Sequence, residues 1–432
     1  MKLLSVSVIL SLFLFNCSSD SNDISRIAQD SNLNYQEQNY QEPFVKDFLS
    51  YEISFGSELF GTKDEFLLVR PVYISVNYNG DILITDEGRI KVFDKNGKGK
   101  KIIGRPGKGP GEFESQRPET YISPEGFITV FDDVFVRGGS VYNLFAPDYS
   151  LIEKKRCNNN PRLENFLRLK LSNPEYKLFV SKVFALNASE KIYLISNTIG
   201  SDPYYSDSYY TFVYENPDTL IKLTHFKMPG AHLGGWDRSL GLKEWNIIPG
   251  RKLVYINTDD DIHDDITGSW YTIHIISLDD FKDTKITHRF SPVSYPEERI
   301  SYLLNYKTDR TDEMGRRSEI SQREKGKKYK ERKYLPSAYD MRIDLTYAFV
   351  IRYHINKLIG SKESYELEVD SFDLNAVKYI GSFNLPPTST FISNGCVYQG
   401  TNDKEGFYIL RKYKINPIVY GLPEDPDWKT KK

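Results

Sequence analysis

Carboxylates are the most concentrated reactive groups in this chain. The run NTDDDIHDD at 257–265 holds Asp259, Asp260, Asp261, Asp264 and Asp265. Hard oxygen ligands of this kind suit calcium, and Asp259, Asp261 and Asp265 are the candidate ligands. The spacing is not that of an EF-hand, because the glycine of the sharp turn and the distal bidentate Glu are missing. Between two strand-like runs the simpler reading is a solvated hairpin tip, with no cofactor. The six histidines are His225, His232, His263, His274, His288 and His354. None stands in an H-E-x-x-H motif or a close pair, and zinc would need three such ligands converging. His274, His288 and His354 lie in strand-like runs, whose alternation could turn some of them inward. No nucleophile elbow or Ser-His-Asp arrangement can be named, so no catalytic residue is assigned.

A second stretch with chemical potential is GRPGKGPGEF at 104–113. A phosphate cradle is the tempting reading of so many glycines. The stretch lacks the Gly-Lys-Ser/Thr ending and the following helix that such a loop needs. The structural reading is a linker. Gly104, Gly107, Gly109 and Gly111 let the chain turn where a side chain would forbid it, and Pro106 and Pro110 stiffen it. Glu112 is expected to accept backbone bonds at the turn. Phe113 is expected to insert between neighbouring sheets as an apolar anchor.

A third candidate is a recognition surface. SDPYYSDSYY at 201–210 offers Tyr204 and Tyr205, and GGWDRS at 234–239 adds Trp236 and Arg238. Tyr, Trp and Arg supply much of the energy of protein interfaces. Tyrosine is abundant throughout, however, with 31 in the chain.

The elements that must position these groups are strands. Of 432 residues, 14% are aromatic, a composition that favours strands over helices. The formal net charge is -2, so bulk affinity for nucleic acid is not expected. The first residues form a targeting segment: Lys2, then a nearly continuous apolar run from Leu3 to Phe15. That run is short for a membrane-spanning helix. LFNC at 14–17 resembles a bacterial lipoprotein signal, which implies cleavage before Cys17, acyl chains such as palmitate on that cysteine, and residues 18–45 as a polar tether. Cys157 and Cys396 are read as two separate thiols.

Strand signals repeat along the chain. YISVN at 73–77 runs through Asn79-Gly80 into ILIT at 82–85, and Asn-Gly is a strong hairpin signal. RIKVFD at 89–94 and KKII at 100–103 complete a four-stranded meander. ETYIS at 119–123, FITVFDD at 127–133, VYNLFAPD at 141–148 and SLIEKK at 150–155 repeat it, with Gly80 matching Gly126 and Asp86 matching Asp132. A period in the forties with several strands per unit indicates propeller blades. The units GKGPGEF, ITVFD, ILITD and RIKVFD resemble NHL-type repeats. The whole is similar to bacterial six-bladed β-propeller lipoproteins carrying such repeats. The clear motif spans roughly residues 60–150.

The expected fold is therefore all-β, a six-bladed β-propeller of four-stranded antiparallel blades around a central channel, with seven blades as the alternative. Later blades are sketched at 182–226, 252–292, 344–386 and 390–415. YEISFGSELF at 51–60 is expected to add the outer strand of the last blade. The domain plan is a signal peptide at 1–16, a tether at 17–45, the propeller at 46–420 and a tail at 421–432. A charged insertion at about 305–335 carries eleven Lys or Arg against six Asp or Glu between Lys307 and Lys333. It reads as an exposed loop or a solvated helix. Asp86 and Asp132 are read as structural carboxylates that accept backbone N–H groups at strand ends. The resemblance implies a lipid-anchored monomer of the bacterial envelope, with the outer membrane preferred. Its expected role is non-catalytic binding of a protein, peptide or glycan through a propeller face. The alternative is a metal-dependent hydrolase or lyase acting in the channel.

Overall fold

The computed structural model describes residues 48–132, 139–171, 178–199, 206–232, 235–236, 243–264, 268–352, 367–385 and 390–428. Cys17, Tyr204, Tyr205, Arg238, Asp265 and His354 lie outside them, as does the stretch read as signal peptide and tether. The side chains of Trp236 and His232 are likewise not described.

The strands run in chain order around a ring of six sheets. β1 (Leu49–Phe55) stands apart in sequence from its sheet. Blade 1 is β2 (Pro71–Val76), β3 (Ile82–Asp86), β4 (Arg89–Phe93) and β5 (Gly99–Ile103). Blade 2 is β6 (Glu119–Ile122), β7 (Ile128–Asp132), β8 (Val141–Phe145) and β9 (Leu151–Arg156). The helix α1 (Pro161–Lys170) follows, with Asn160 capping it by accepting from Leu163 N. Blade 3 is β10 (Val180–Ala185), β11 (Lys191–Ile199), β12 (Ser206–Glu215), the long β13 (Leu220–His232) and the short β14 (Gly235–Trp236).

Blade 4 starts with a strand that the sequence sketch lacks, β15 (Lys243–Ile248), then β16 (Lys252–Asn257). A 3-10 turn at Thr258–Asp260 ends β16, and β17 (Ile262–Asp264) follows it alongside β18. β16 and β17 both pair with β18 (Gly268–Ser277), whose other side pairs with β19 (Asp283–Phe290). Two helices follow, α2 (Glu297–Leu304) and α3 (Glu313–Arg332). Blade 5 is β20 (Ala338–Asp344), β21 (Tyr347–Arg352), β22 (Leu367–Asp373) and β23 (Lys378–Leu385). Blade 6 is β24 (Thr390–Ser393), β25 (Cys396–Asn402) and β26 (Tyr408–Ile415), and β1 pairs antiparallel with β26 as its outer strand.

Six blades fill the ring, so the seventh does not exist. Most of the stretch between the sketched blades, from residue 297 to 332, is the α2–α3 hairpin. The charged insertion is therefore a helix over most of its length. Residues 58–60, assigned from the sequence to the closing strand, form a 3-10 turn instead. The chain also continues to pack beyond residue 420: Trp428 is buried, and Lys414 pairs with Asp425 at 3.4 Å.

The core is divided between neighbours. Leu83, Ile90 and Val92 of blade 1 meet Ile128, Val130 and Phe145 of blade 2. Phe131, Tyr142 and Leu144 of blade 2 meet Val183, Tyr193 and Val213 of blade 3, with Leu163 and Leu167 of α1. Further clusters join blades 3 and 4, 4 and 5, and 5 and 6. The last joins Phe55, Tyr398 and Leu410 of blade 6 to Ile82, Ile84 and Phe93 of blade 1. Alternate residues of one strand thus serve opposite neighbours. Both faces of β3, β7 and β8 are covered, and every residue of each is buried. Cys157 and Cys396 sit as thiols in separate clusters.

Candidate functional site

The linker decapeptide lies on the seam between blades 1 and 2. Phe113 is 1% exposed and packs in the cluster shared by those blades. Gly104 has φ of 70°, and a Cβ there would fall 2.2 Å from the Phe113 ring. A Cβ on Gly107 would fall 2.2 Å from Glu112 Oε2. Glu112 accepts from Gly109 N at 2.7 Å and from Arg105 Nε at 2.8 Å. These bonds hold its carboxyl below the usual carboxylate range, the Gly109 N–H foremost. From β9, Lys154 Nζ donates to the carbonyls of Lys108, Gly109 and Glu112 at 3.1, 2.9 and 2.8 Å. A loop filled by an ammonium and its own carboxylate is a clasp, with its carbonyls already committed.

Buried carboxylates fix the chain where it enters the blades. Asp86, at the end of β3, accepts Arg70 N at 2.6 Å and Val69 N at 3.1 Å, just before β2. Asp132, at the end of β7, accepts Glu114 N at 2.5 Å and Ser115 N at 2.8 Å, before β6. Asp261 accepts Ser337 N and Ser337 Oγ, both at 2.8 Å, before β20. Asp344 accepts Asn394 N and Gly395 N at 2.5 and 2.8 Å, in the turn between β24 and β25. The first two differ in their counter-charge. Lys91, opposite Ile84 in the ladder, pairs with Asp86 at 2.8 Å, and both side chains are buried. The corresponding partner of Val130 is Asn143, which carries no charge. Burial pushes the Asp132 carboxyl above its ordinary value, against the two N–H donors.

The acidic run is divided among different partners. Asp259 pairs with Arg332 of α3, while Asp261 holds Ser337. Asp260 lies 3.4 Å from His274 Nε2. Among the described residues, no three His, Cys, Asp or Glu side chains are grouped to hold a metal ion. The histidines are dispersed. His274 bonds Asp283 at 2.8 Å. His288 stacks on Tyr379 with centroids 4.2 Å apart. His225 bonds Thr211.

The residues that converge from several blades are others. They lie on the inner strands, where adjacent blades meet closest to the axis. Glu119 of β6 accepts Tyr73 Oη of β2 at 3.3 Å and Lys182 Nζ of β10 at 2.8 Å. Tyr121 Oη donates to the same carboxylate. Lys182 sits 5.4 Å from the Tyr121 ring centroid. Trp245 of β15 stacks on Tyr121 at 6.4 Å with a 22° interplanar angle. Contact between blades 2 and 4 across blade 3 is possible only near the axis. Tyr73 is 37% exposed, and Glu119, Tyr121, Lys182 and Trp245 are partly buried.

Electrostatics fixes the protonation of this cluster. Burial opposes the charge of Glu119, but Lys182 and the hydroxyl donors outweigh it and hold its pKa below the ordinary value. Burial and then Glu119 raise both phenols, Tyr121 well above its ordinary range. The cluster thus presents an ionised carboxylate and two protonated phenols beside the Lys182 side chain and an indole face. Nothing in the local sequence marks these residues. The signal that could have found them is inner-strand alternation, Tyr73 and Ser75 or Glu119 and Tyr121, once the blades are assigned.

A family model described as a 6-bladed beta-propeller matches residues 38–133. The chain is a six-bladed β-propeller. It is similar in structure to a Bacteroides fragilis protein described as exported, with 13% identity and a TM-score of 0.47, covering 86% of this chain and 97% of that one. A Bacteroides caccae protein of unknown function shares 9% identity, with a TM-score of 0.33, over 72% and 80% of the chains. The polysaccharide lyase Uly1 shares 8% identity, with a TM-score of 0.35, over 79% and 76%. No curated protein matches the sequence.

Two outcomes follow from the carboxylates. Asp86→Ala strands the Lys91 ammonium as well as two N–H groups, and should cost about 3–5 kcal/mol in urea unfolding. Asp132→Ala strands only the N–H groups and should cost about 1–3 kcal/mol. Equal costs would remove the distinction drawn between the two blades.

Burial pushes Asp261 up to about 7. A carboxyl raised in the native state holds a proton that the unfolded chain releases near pH 4. Stability should therefore fall as pH rises from about 4 through about 7. Asp261→Asn should flatten that slope, by about 4 kcal/mol at pH 8. An unchanged slope in urea unfolding across this window would refute the assignment.

Proposed function

We propose that this protein is a non-catalytic binding protein of the bacterial envelope, held to the outer membrane through lipid on Cys17. Its ligand is a glycan or a peptide that meets the axial face of the propeller. The observation that carries the binding role is the convergence of Tyr73, Glu119, Tyr121, Lys182 and Trp245 from four inner strands. Aromatic faces and Tyr or Lys donors are what a polyhydroxylated or amide-rich ligand uses. Glu119 is held ionised and the two phenols protonated, so these groups suit fixed recognition rather than proton transfer near neutrality. The envelope location rests on LFNC at 14–17 and the polar stretch that follows. Tyr204, Tyr205, Trp236 and Arg238 remain candidates for the same partner on their residue types alone.

The test is calorimetric titration of residues 18–432 with neutral and anionic oligosaccharides and short peptides. One ligand class is expected to bind. Tyr73→Phe and Lys182→Met should each weaken it by about tenfold or more, with the unfolding midpoint retained. Turnover of a ligand, or binding indifferent to both variants, would overturn the reading. Acylation is read separately, as loss of the lipid mass increment in Cys17→Ala.

A further inference from the structure

The α2–α3 hairpin takes no part in the six clusters that join the blades. It has a small core of its own, formed by Tyr295, Ile300, Leu303, Tyr329 and Leu335. Gly326 lets the helices approach: a Cβ there would lie 3.0 Å from Leu303 Cβ. Tyr329 stacks on Tyr295 with centroids 4.0 Å apart. Arg332 ties the end of α3 to Asp259 of blade 4. The hairpin is thus a fixed appendage rather than part of the ring.

Its charge is unevenly placed. From Lys307 to Gln322 acidic and basic residues balance. The whole excess falls between Arg323 and Lys333, where seven Lys or Arg face two Glu. The chain as a whole has a net charge of -2, so this segment is a basic island on an otherwise acidic protein. The burial pattern turns it outward. Gly326 and Tyr329 face the hairpin core and Gly315 is buried against Arg310, while Arg316, Arg323, Lys327 and Lys330 are exposed. Their spacing of seven, four and three residues puts them on one face of the helix. The stripe is about 21 Å long at 1.5 Å per residue. The acids sit beside it, with Glu319 and Glu324 bonded laterally to Arg323 and Lys327.

We propose that this stripe docks the propeller on an anionic phospholipid surface. Several basic residues on a rigid helix face match a plane of negative headgroups. Residues 17–47 set the reach if Cys17 is anchored, as the proposed function has it. Fully extended, a chain of that length spans at most about 100 Å, so the stripe can reach the membrane. The docked state would fix which propeller face looks away from the bilayer.

The test uses residues 18–432 without lipid, so it does not depend on acylation of Cys17. The protein is floated with vesicles of phosphatidylcholine alone, or of equal parts phosphatidylcholine and phosphatidylglycerol. Flotation is expected only with the anionic vesicles, and should fall with added salt. Replacing Arg323, Lys327 and Lys330 by Gln should weaken it by at least about tenfold. The same number of charges removed elsewhere, as Lys155→Gln, Lys170→Gln and Lys285→Gln, should leave it nearly intact. Matching unfolding midpoints for the two triple variants confirm that folding is preserved. Absence of flotation, or equal loss in both variants, overturns the proposal. Retention on sulfated dextran without flotation also overturns it, and assigns the stripe to a polyanionic chain.

Discussion

Each blade of this ring buries both of its faces, so none can serve as an end. A sheet that packs on one side only can leave polar residues on the other. Here Val130 faces blade 1 while Phe131 faces blade 3, and any gap between blades would expose a whole apolar face to water. The ring must close, and β1 closes it by pairing with β26 from the far end of the chain. Phe55 at its end then sits against Phe93 of blade 1, with centroids 4.9 Å apart. The first strand and the last three thus make one sheet, and the two ends of the propeller are held by the ladder.

Closure also sets where polar groups are allowed. Carboxylates at strand ends and turns packed inside the ring survive only with fixed partners. Asp86, Asp132, Asp261 and Asp344 each take backbone N–H groups from the chain entering a blade or turning within it. These bonds turn a desolvation cost into a positional constraint. The inner strands meet the axis and can carry charge. That is where Glu119 and Lys182 face each other, with Tyr73 and Tyr121 as further donors. The α2–α3 hairpin escapes both constraints, which is why it can hold an outward basic face.

The same physics explains what could be read in advance. ILITD and ITVFD are apolar because both faces are covered, and Asn79-Gly80 turns where the hairpin demands it. Those features made the blades of the first third plain. β15 gives no strand signal, because KEWNII has neither a period-two alternation nor a continuous apolar run: two charges lead, Asn246 divides the apolar residues, and only Ile247 and Ile248 are fully buried. The sequence reads residues 305–335 as a loop or a solvated helix, and its charge hides Gly326 and Tyr329, which are the contacts of a helix pair. The axial cluster could not be read from neighbours in sequence. Tyr73, Glu119, Lys182 and Trp245 are brought together only by the ring. Tyrosine density, which drew attention to Tyr204 and Tyr205, carries no information about which tyrosines converge.

Hydrogen exchange on residues 18–432 tests closure most directly. If β1 is the final strand of blade 6, its amides that face β26 should exchange as slowly as those of β25 and β26, and through the same cooperative opening. Exchange of β1 at the rate of an unstructured segment, with blades 2 to 5 still protected, would contradict the closed ring.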